Sequence, residues 1–379
     1  MAAAVTYALP GGRVAVDCRV PGFAGWLDEV VGPGFVRDDP RPTDLSVVVV
    51  DRSGDERGEA MGPVPCFALD TGVVHHAGWR VGETIEVVDT NFGARYAVGR
   101  DGVAVHPCGP WPRTRVAVLR VIREVATVQA LADGSRVQLH AAAVEVDVEG
   151  GGRVAVVAGI KEAGKTTWLA HVAASTGAAV VANDRLLASP PGSASAGAAW
   201  DVRSVPTIVS VRPGTMECLP HLFRSVPAVP SAAHLTMAEA AAAADREGAV
   251  TVPTRLKLSL PQLAAALDAP LSGGGPVATV AVLAPAAGCV GFAVRPLAPD
   301  EAQRLLAPVV YGAGSRAGVA GRPTVFEGLV ATRRPPDADA AAIRRLAHEV
   351  RCVELRVGPG FLASREAAAD LLTELTRDR

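Results

Sequence analysis

Residues 159–166, GIKEAGKT, combine the residue types that hold the phosphate groups of a nucleotide. Gly159 and Gly164 frame four residues, and Lys165 and Thr166 follow at once. Glycine lets backbone N–H groups turn toward an anion because it carries no Cβ atom. Lysine supplies a compact positive charge to the β- and γ-phosphates, and the threonine hydroxyl is a ligand for Mg²⁺. The spacing therefore predicts a binding site for ATP, or another nucleoside triphosphate, together with Mg²⁺.

The segments on either side of this loop have the patterns that such a site requires. Residues 152–159 form an apolar, valine-rich run typical of a buried strand, and residues 166–176 favour a helix that ends at Gly177. The N-terminus of that helix adds partial positive charge beside the phosphates. The candidate nucleotide-binding residues are Gly159, Lys161, Glu162, Ala163, Gly164, Lys165, Thr166 and Thr167.

Lysine is rare in this chain, which makes its positions informative. Among 37 basic residues only Lys161, Lys165 and Lys257 are lysines. A retained lysine suits a place where the forked guanidinium of arginine would not serve. Lys161 either adds a second charge to the phosphates or faces solvent, and Lys257 is either functional or there by chance.

Three classes of nucleotide-binding protein are disfavoured by the motifs they need. A GTPase binds guanine through Asn-Lys-x-Asp, but neither asparagine of this chain, Asn91 or Asn183, precedes a lysine. LSGGG at 271–275 precedes a proline and an apolar run without a carboxylate, which favours a loop over the signature motif of ABC-type ATPases. The Asp-Glu pair that AAA-type ATPases carry after an apolar strand is not found in the sequence.

The chain divides into two predicted domains. Residues 1–112 contain short β-type runs separated by glycine, proline and aspartate, which predicts a smaller, strand-rich module. Residues 113–379 mix helical and strand patterns, which predicts an α/β domain around the loop. It begins with a long apolar helical pattern that ends near Gly134.

Further elements are predicted from local patterns in the second domain. The run 178–188 predicts a short buried strand with Asp184 at its end, where ligand sites of α/β proteins form. Segments 277–285 and 288–297 predict a hairpin, and the alanine-rich segment 231–248 predicts either a weakly packed helix or a mobile lid. Strands are also predicted over 137–147 and 351–358, and helices over 298–310, 337–350 and 364–376.

Composition limits the classes of partner. The 379 residues carry a net charge of −2, so no overall charge attracts nucleic acid or an anionic membrane. The uncharged stretch 271–294 is interrupted by glycine and proline, which does not suit a membrane span. Six cysteines without a C-x-x-C pair indicate reduced thiols, and the N-terminus is unlike a signal peptide. These features favour a cytoplasmic protein and leave open whether it is a homo-oligomer.

Several segments together resemble the HPr kinase/phosphorylase superfamily, specifically the HPr-kinase-related proteins of peptide natural-product pathways such as the lasso-peptide serine kinases. The matching segments are LHAAAV (139–144), GIKEAGKTT (159–167), VVANDR (180–185), TRLKLSL (254–260), GFAVRPLAPDEAQRLL (291–306) and RCVELRVG (351–358). The resemblance implies an α/β P-loop kinase domain, like that of HPr kinase and PEP carboxykinase, over residues 113–379. It also implies transfer of a phosphoryl group from a nucleotide to a hydroxyl, usually that of serine.

This resemblance assigns roles to residues outside the loop. Asp184 becomes the candidate that ligates Mg²⁺ together with Thr166, or that orients the acceptor hydroxyl. His140, on the strand beside the loop, is either a proton acceptor or a histidine of the core. Arg255 and Lys257 alternate along an apparent strand, so they either share the face toward phosphate and acceptor or lie on a solvated face.

Asn183 departs from the family, which typically has two aspartates in this segment. Asparagine is neutral and does not accept a proton at useful pH. Either Asp184 fills both roles, or His140 is the base, or the protein mainly binds nucleotide. Two functions remain: a kinase acting on a hydroxyl of a peptide or small metabolite, or a nucleotide-binding partner protein without productive transfer. Under either, the N-terminal strands offer an edge to which a peptide can add.

Overall fold

The computed structural model describes most of the chain. The described residues are 5–18, 20–38, 45–49, 59–69, 72–148, 151–193, 198–222, 256–284, 288–311, 324–329 and 334–377. Arg255 and the alanine-rich segment 231–248 lie outside them. The chain forms two compact units, which are Met1–Asp28 with Phe35–Asp133 and Gly312–Pro335, and Glu29–Gly34 with Gly134–Tyr311 and Pro336–Arg379. The division after Asp133 assigns the long helix expected at the start of the second domain to the first unit.

The strands and helices have the following bounds. The described strands are β1 (Val5–Leu9), β2 (Gly12–Cys18), β3 (Val36–Asp38), β4 (Leu45–Val49), β5 (Glu59–Leu69), β6 (Gly72–Val81), β7 (Thr84–Asp89), β8 (Ala94–Gly99), β9 (Gly102–Pro107), β10 (Val137–Val148), β11 (Gly151–Ala158), β12 (Ala179–Ser189), β13 (Asp201–Ser204), β14 (Ile208–Val211), β15 (Leu256–Ser259), β16 (Gly274–Leu283), β17 (Phe292–Pro296) and β18 (Arg351–Val357). The described α-helices are α1 (Phe23–Val31), α2 (Trp111–Leu131), α3 (Lys165–Thr176), α4 (Pro213–Cys218), α5 (Leu260–Ala266), α6 (Pro299–Leu306), α7 (Ala338–Glu349), α8 (Pro359–Leu362) and α9 (Arg365–Thr376).

The first unit is a single sheet with a helix packed on it. Its strands lie in the order β3-β1-β2-β4-β9-β8-β7-β6-β5, and α2 packs against β2, β4, β1 and β9. Alternate residues of β8, namely Ala94, Tyr96 and Val98, are buried because successive side chains of a strand point to opposite faces. The strand-rich N-terminal region and the long helix after it are therefore confirmed.

The second unit is built on a sheet that closes on itself. The order is β11-β10-β12-β13-β16-β18-β17, and β11 also pairs in parallel with β16. The strands β11, β10, β12, β13 and β16 therefore form a hydrogen-bonded ring. Residues 137–144 of β10 are all buried, as expected of a strand covered on both faces. The mixed α/β class predicted for this part of the chain is confirmed.

One core joins the elements around the glycine-rich loop. Helices α3 and α9, the ribbon β14–β15 and strands β10, β11 and β12 contribute buried side chains to it. Trp168 of α3 and Phe361 of α8 are the bulkiest members and are 2% and 0% exposed. The loop therefore has packed elements on both sides.

Two local predictions are wrong. β16 and β17 do not form a hairpin, because β18 lies between them, parallel to β16 and antiparallel to β17. Asp184 is not at the end of its strand but inside β12, which continues to Ser189. The strand continues because Leu186 and Leu187 are buried and pair with both β10 and β13. The helices predicted over 298–310, 337–350 and 364–376 and the strand over 351–358 are confirmed as α6, α7, α9 and β18.

Other expectations concern the chain as a whole. None of the described helices is both long enough and apolar enough to cross a membrane. All six cysteines are free thiols; Cys66 and Cys352 are buried, whereas Cys108 and Cys218 are exposed. The LSGGG segment opens no helix, since β16 begins at Gly274 within it.

Candidate functional site

The glycine-rich loop connects strand and helix as its sequence predicts. β11 ends at Ala158, and α3 begins at Lys165. Gly159 packs closely, since a Cβ atom added there would lie 3.1 Å from the Cβ of Ala163. Gly164 has φ 96°, a left-handed conformation that other residues rarely adopt. The backbone geometry therefore explains glycine at both ends of the loop.

Lys165 lies under this loop and is held by it. Lys165 is only 6% exposed. Its Nζ donates hydrogen bonds to the carbonyl oxygens of Gly159 at 2.7 Å and Ile160 at 2.9 Å. Such bonds are needed because an ammonium removed from water loses much of its solvation energy. Ile160, Lys161 and Glu162 are exposed above it. The loop thus combines one buried cation with an exposed rim.

A cluster of polar side chains includes a residue whose backbone is hydrogen-bonded to the loop. The N–H of Gly159 donates to the backbone carbonyl of His140 at 3.4 Å. His140 Nε2 lies 3.2 Å from Asp184 Oδ1, and the hydroxyl of Tyr311 donates to Asp184 Oδ2 at 2.7 Å. The guanidinium of Arg185 covers the Tyr311 ring at 4.3 Å. Three residues distant in sequence, His140, Asp184 and Tyr311, therefore form one hydrogen-bonded group.

Strand pairing explains how these residues meet. In the β10–β12 ladder His140 faces Arg185, and Ala141 faces Asp184. The N–H of Tyr311 donates to the carbonyl of Gln138 on β10 at 2.9 Å, which fixes Tyr311 along the same strand. The cluster is therefore positioned by backbone hydrogen bonds, which favours a rigid arrangement.

Asp184 is held in its ionised form. Burial is the largest single effect on its pKa and raises it, but the hydrogen bond and charge of His140, the charge of Arg185 and the hydrogen bond of Tyr311 together lower the pKa. The Asp184 side chain is nevertheless 33% exposed, so a ligand can still reach it. The carboxylate is therefore suited to accept hydrogen bonds or to ligate a cation at neutral pH.

Backbone conformation also marks this region. Among the described residues three that are not glycine have positive φ, and two of them are Glu162 at 70° and Asp184 at 92°. Each such conformation costs about 1–3 kcal/mol and persists only where surrounding contacts impose it. Because strained residues cluster at functional sites, these two conformations support a functional role for the loop and for β12.

Asn183 is buried beside Asp184, and its neutral amide cannot act as a second carboxylate. The residue is 5% exposed, and its Oδ1 has no hydrogen-bond partner among the described residues. Its ladder partner, Ala142, lies in the core. An ionised side chain at this buried position would be costly, which explains why a neutral amide is tolerated here.

The two threonines after Lys165 differ in their contacts. Thr167 Oγ1 shares a hydrogen bond with Thr215 Oγ1 of α4 at 2.8 Å, whereas Thr166 is partly buried at the second position of α3. Thr166 and Asp184 offer a hydroxyl and a carboxylate, which fits Mg²⁺ when phosphates and water complete its shell. Among the described residues no three His, Cys, Asp or Glu side chains form a metal-binding group.

Lys257 lies on the ribbon next to the loop. It pairs with Ser210 across β14–β15, and its neighbours Leu256 and Leu258 are buried in the core. Lys257 therefore belongs to the opposite face of the ribbon. Two residues after Ser210, Arg212 forms an ion pair with Glu162 of the loop. Arg255, expected to share the face of Lys257, lies outside the described residues.

Sequence patterns missed four residues of this region: Arg185, Arg212, Thr215 and Tyr311. None of them belongs to the glycine-rich motif, and Tyr311 is 127 residues from its partner Asp184. The only local signal was the adjacency of Arg185 to Asp184. Comparison with protein-family models found no match, and no curated protein is significantly similar in sequence.

Proposed function

We propose that the chain is a P-loop kinase of the HPr-kinase-like type that transfers the γ-phosphoryl group of ATP, or of another nucleoside triphosphate, to a hydroxyl. The acceptor is a serine of a peptide or a small metabolite of a biosynthetic pathway. The observation that carries this proposal is the backbone hydrogen bond from the N–H of Gly159 to the carbonyl of His140, because it places the first residue of a phosphate-type loop next to the residue whose side chain pairs with Asp184. A phosphotransferase needs both parts within reach of one phosphorus atom.

The loop supplies binding and charge neutralisation. Lys165 and the loop N–H groups hold the β- and γ-phosphates, and the N-terminus of α3 adds its partial charge. Thr166 and Asp184 would hold Mg²⁺ together with the phosphates, and the ion would neutralise charge on the transferring group. Such transfer depends mainly on position and electrostatics, so little further chemistry is required of the side chains.

The Asp184 cluster handles the acceptor hydroxyl. The acceptor oxygen forms a bond to the γ-phosphorus while the bond to the β,γ-bridging oxygen breaks, and the nucleoside diphosphate leaves with that electron pair. Asp184, with its low pKa, orients the hydroxyl as a hydrogen-bond acceptor. The released proton passes to Nδ1 of His140 in the state in which this imidazole is neutral, while its Nε2–H faces Asp184 Oδ1. Tyr311 keeps the carboxylate in place throughout.

A thermal-shift experiment with Lys165→Ala tests nucleotide binding. Wild type should melt at a higher temperature with millimolar ATP and Mg²⁺, since a ligand at 100 times its Kd stabilises by about 2.7 kcal/mol. Lys165→Ala should fold but lose this rise, whereas Arg377→Gln, which removes an exposed cation just after α9, should keep it. A wild type that shows no shift with ATP or GTP contradicts the proposal.

Asn183 favours a second candidate, a nucleotide-binding partner protein that transfers no phosphoryl group. A buried, neutral amide cannot take the proton that a carboxylate would take at that position. Incubation with γ-labelled ATP and a panel of serine peptides and small alcohols separates the two candidates. Labelled acceptor supports the kinase; ATP binding without labelled acceptor or released phosphate supports the partner protein.

A further inference from the structure

Arg212 lies at the rim of the loop, where its side chain is partly exposed, whereas Lys165 is buried. It immediately follows β14, and its extended backbone leads into α4. Its Nη1 forms an ion pair with Oε1 of Glu162, and the two side chains are 32% and 63% exposed. Glu162 reaches this position from a left-handed backbone conformation within the loop. A carboxylate therefore occupies the middle of a phosphate-type loop, with one arginine next to it.

The backbone on both sides of Arg212 is fixed relative to the loop. Val209 and Val211 on β14 and Leu219 after α4 are at most 1% exposed and share the core with Trp168 of α3. Thr215 of α4 is bonded to Thr167 of α3 at 2.8 Å. The arginine is thus anchored at its Cα, while its guanidinium remains accessible to water.

Electrostatics allow the Arg212 guanidinium to exchange Glu162 for a phosphate group. An exposed ion pair contributes little to stability, so leaving Glu162 costs Arg212 little. A guanidinium binds phosphate through paired, charge-assisted hydrogen bonds that are stronger than neutral ones. Glu162 released from the pair is 63% exposed, so water and salt screen its repulsion of the phosphates.

We propose that Arg212 binds the terminal phosphate of the nucleoside triphosphate, and that Glu162 holds the guanidinium at the loop until that phosphate takes its place. The terminal phosphate is the expected partner because it lies farthest from the nucleoside, where Arg212 can reach it from the exposed rim while Lys165 holds the phosphates from beneath the loop. This inference rests on the proposed nucleotide site and adds a residue that selects triphosphate over diphosphate.

The test measures Kd for ATP and for ADP, each with Mg²⁺, by calorimetry on the full chain. Arg212→Gln should weaken ATP binding about tenfold, the size of one lost hydrogen bond to a charged group, and weaken ADP binding less. Arg377→Gln, which breaks an exposed ion pair with Glu374 on α9, is the matched control and should change neither constant. Arg212→Lys keeps the charge without the fork and should weaken ATP binding less than Arg212→Gln.

The decisive comparison is made in the Glu162→Gln background. If Arg212 contacts phosphate, Arg212→Gln still weakens ATP binding several-fold there, because the lost partner is the nucleotide. If Arg212 only neutralises Glu162, Arg212→Gln has no effect on ATP binding in this background, because Glu162 is no longer charged. That result overturns the inference, while nucleotide binding by wild type still supports the underlying site. Equal weakening of ATP and ADP also overturns it. A wild type that binds neither nucleotide refutes the underlying site as well. Should Arg212→Gln fail to fold, the same comparison is made with Arg212→Lys.

Discussion

Tyr311→Phe removes one hydrogen bond from Asp184 and leaves the aromatic ring under Arg185 unchanged. The lost bond, 2.7 Å long, ends on an ionised carboxylate. Hydrogen bonds to charged groups contribute about 1.5–3 kcal/mol, and at a carboxylate 33% exposed water replaces part of this. We therefore expect Tyr311→Phe to lower the free energy of unfolding by about 1 kcal/mol.

The chain offers a closely matched control in Tyr7→Phe. The Tyr7 hydroxyl also donates at 2.7 Å to an aspartate, Asp28, whose side chain is 38% exposed. Urea unfolding should give similar losses for the two variants. Only Tyr311→Phe should slow phosphoryl transfer, by about tenfold, because under the proposed function Asp184, and not Asp28, orients the acceptor. Equal transfer rates in the two variants would show that Tyr311 is structural and would refute the assigned role.

The pH dependence of the stability loss identifies the carboxylate involved. The pKa of Asp184 is lowered in the folded chain, so the stabilisation it brings is complete above the unfolded value of about 3.8 and is lost as pH falls through the folded pKa. The cost of Tyr311→Phe should therefore be constant from pH 8 to about pH 5 and should shrink below about pH 4. A cost that stays the same below pH 4 would instead show that the ionised carboxylate is not the partner of Tyr311.

Two further variants test the assigned roles. Asp184→Asn should lower turnover by about 100-fold or more while changing ATP affinity much less, and Asp268→Asn, at another left-handed aspartate, should change neither. Steady-state transfer assays and calorimetry measure both quantities, and unchanged turnover would remove Asp184 from the mechanism. Lys257→Ala should reduce kcat more than it raises the Kd for ATP, since a cation at the reacting phosphoryl acts mainly in the transition state. Unchanged kinetics would assign Lys257 to a solvated face.

The parts of this site that could be predicted from the sequence are those whose residues are adjacent in the chain. The strand, the loop and helix α3 follow one another in 26 residues, 151–176, so their patterns could be recognised together. Asp184 was selected from its place after an apolar run, and the family resemblance then gave roles to it and to His140; their side chains do lie 3.2 Å apart. Tyr311 carries no local pattern, and its role depends on a backbone hydrogen bond to β10 that only the folded chain creates.

Strand order was the least predictable part. The segments of β16 and β17 follow each other in sequence, and nothing in their local residue patterns indicates which strand each of them pairs with. β18, more than fifty residues later, takes the place between them. The position of Asp184 inside β12 was missed for a related reason, because an asparagine–aspartate pair normally indicates a strand end or turn. Burial of Leu186 and Leu187 outweighs that local preference.

The ring of strands in the second unit limits how an acceptor can be recognised. Among the described residues, β10 and β11 have hydrogen-bonded neighbours on both sides, so the strand that carries the loop offers no open backbone edge, whereas β12 pairs with β13 only over Leu186–Ser189. A peptide acceptor would have to be selected there through its side chains and its charge, without the register that strand addition imposes. Serine peptides of different local conformation and small alcohols would then compete for the same site. Replacing the residues around the serine should change the rate of phosphoryl transfer more than constraining the peptide to an extended conformation.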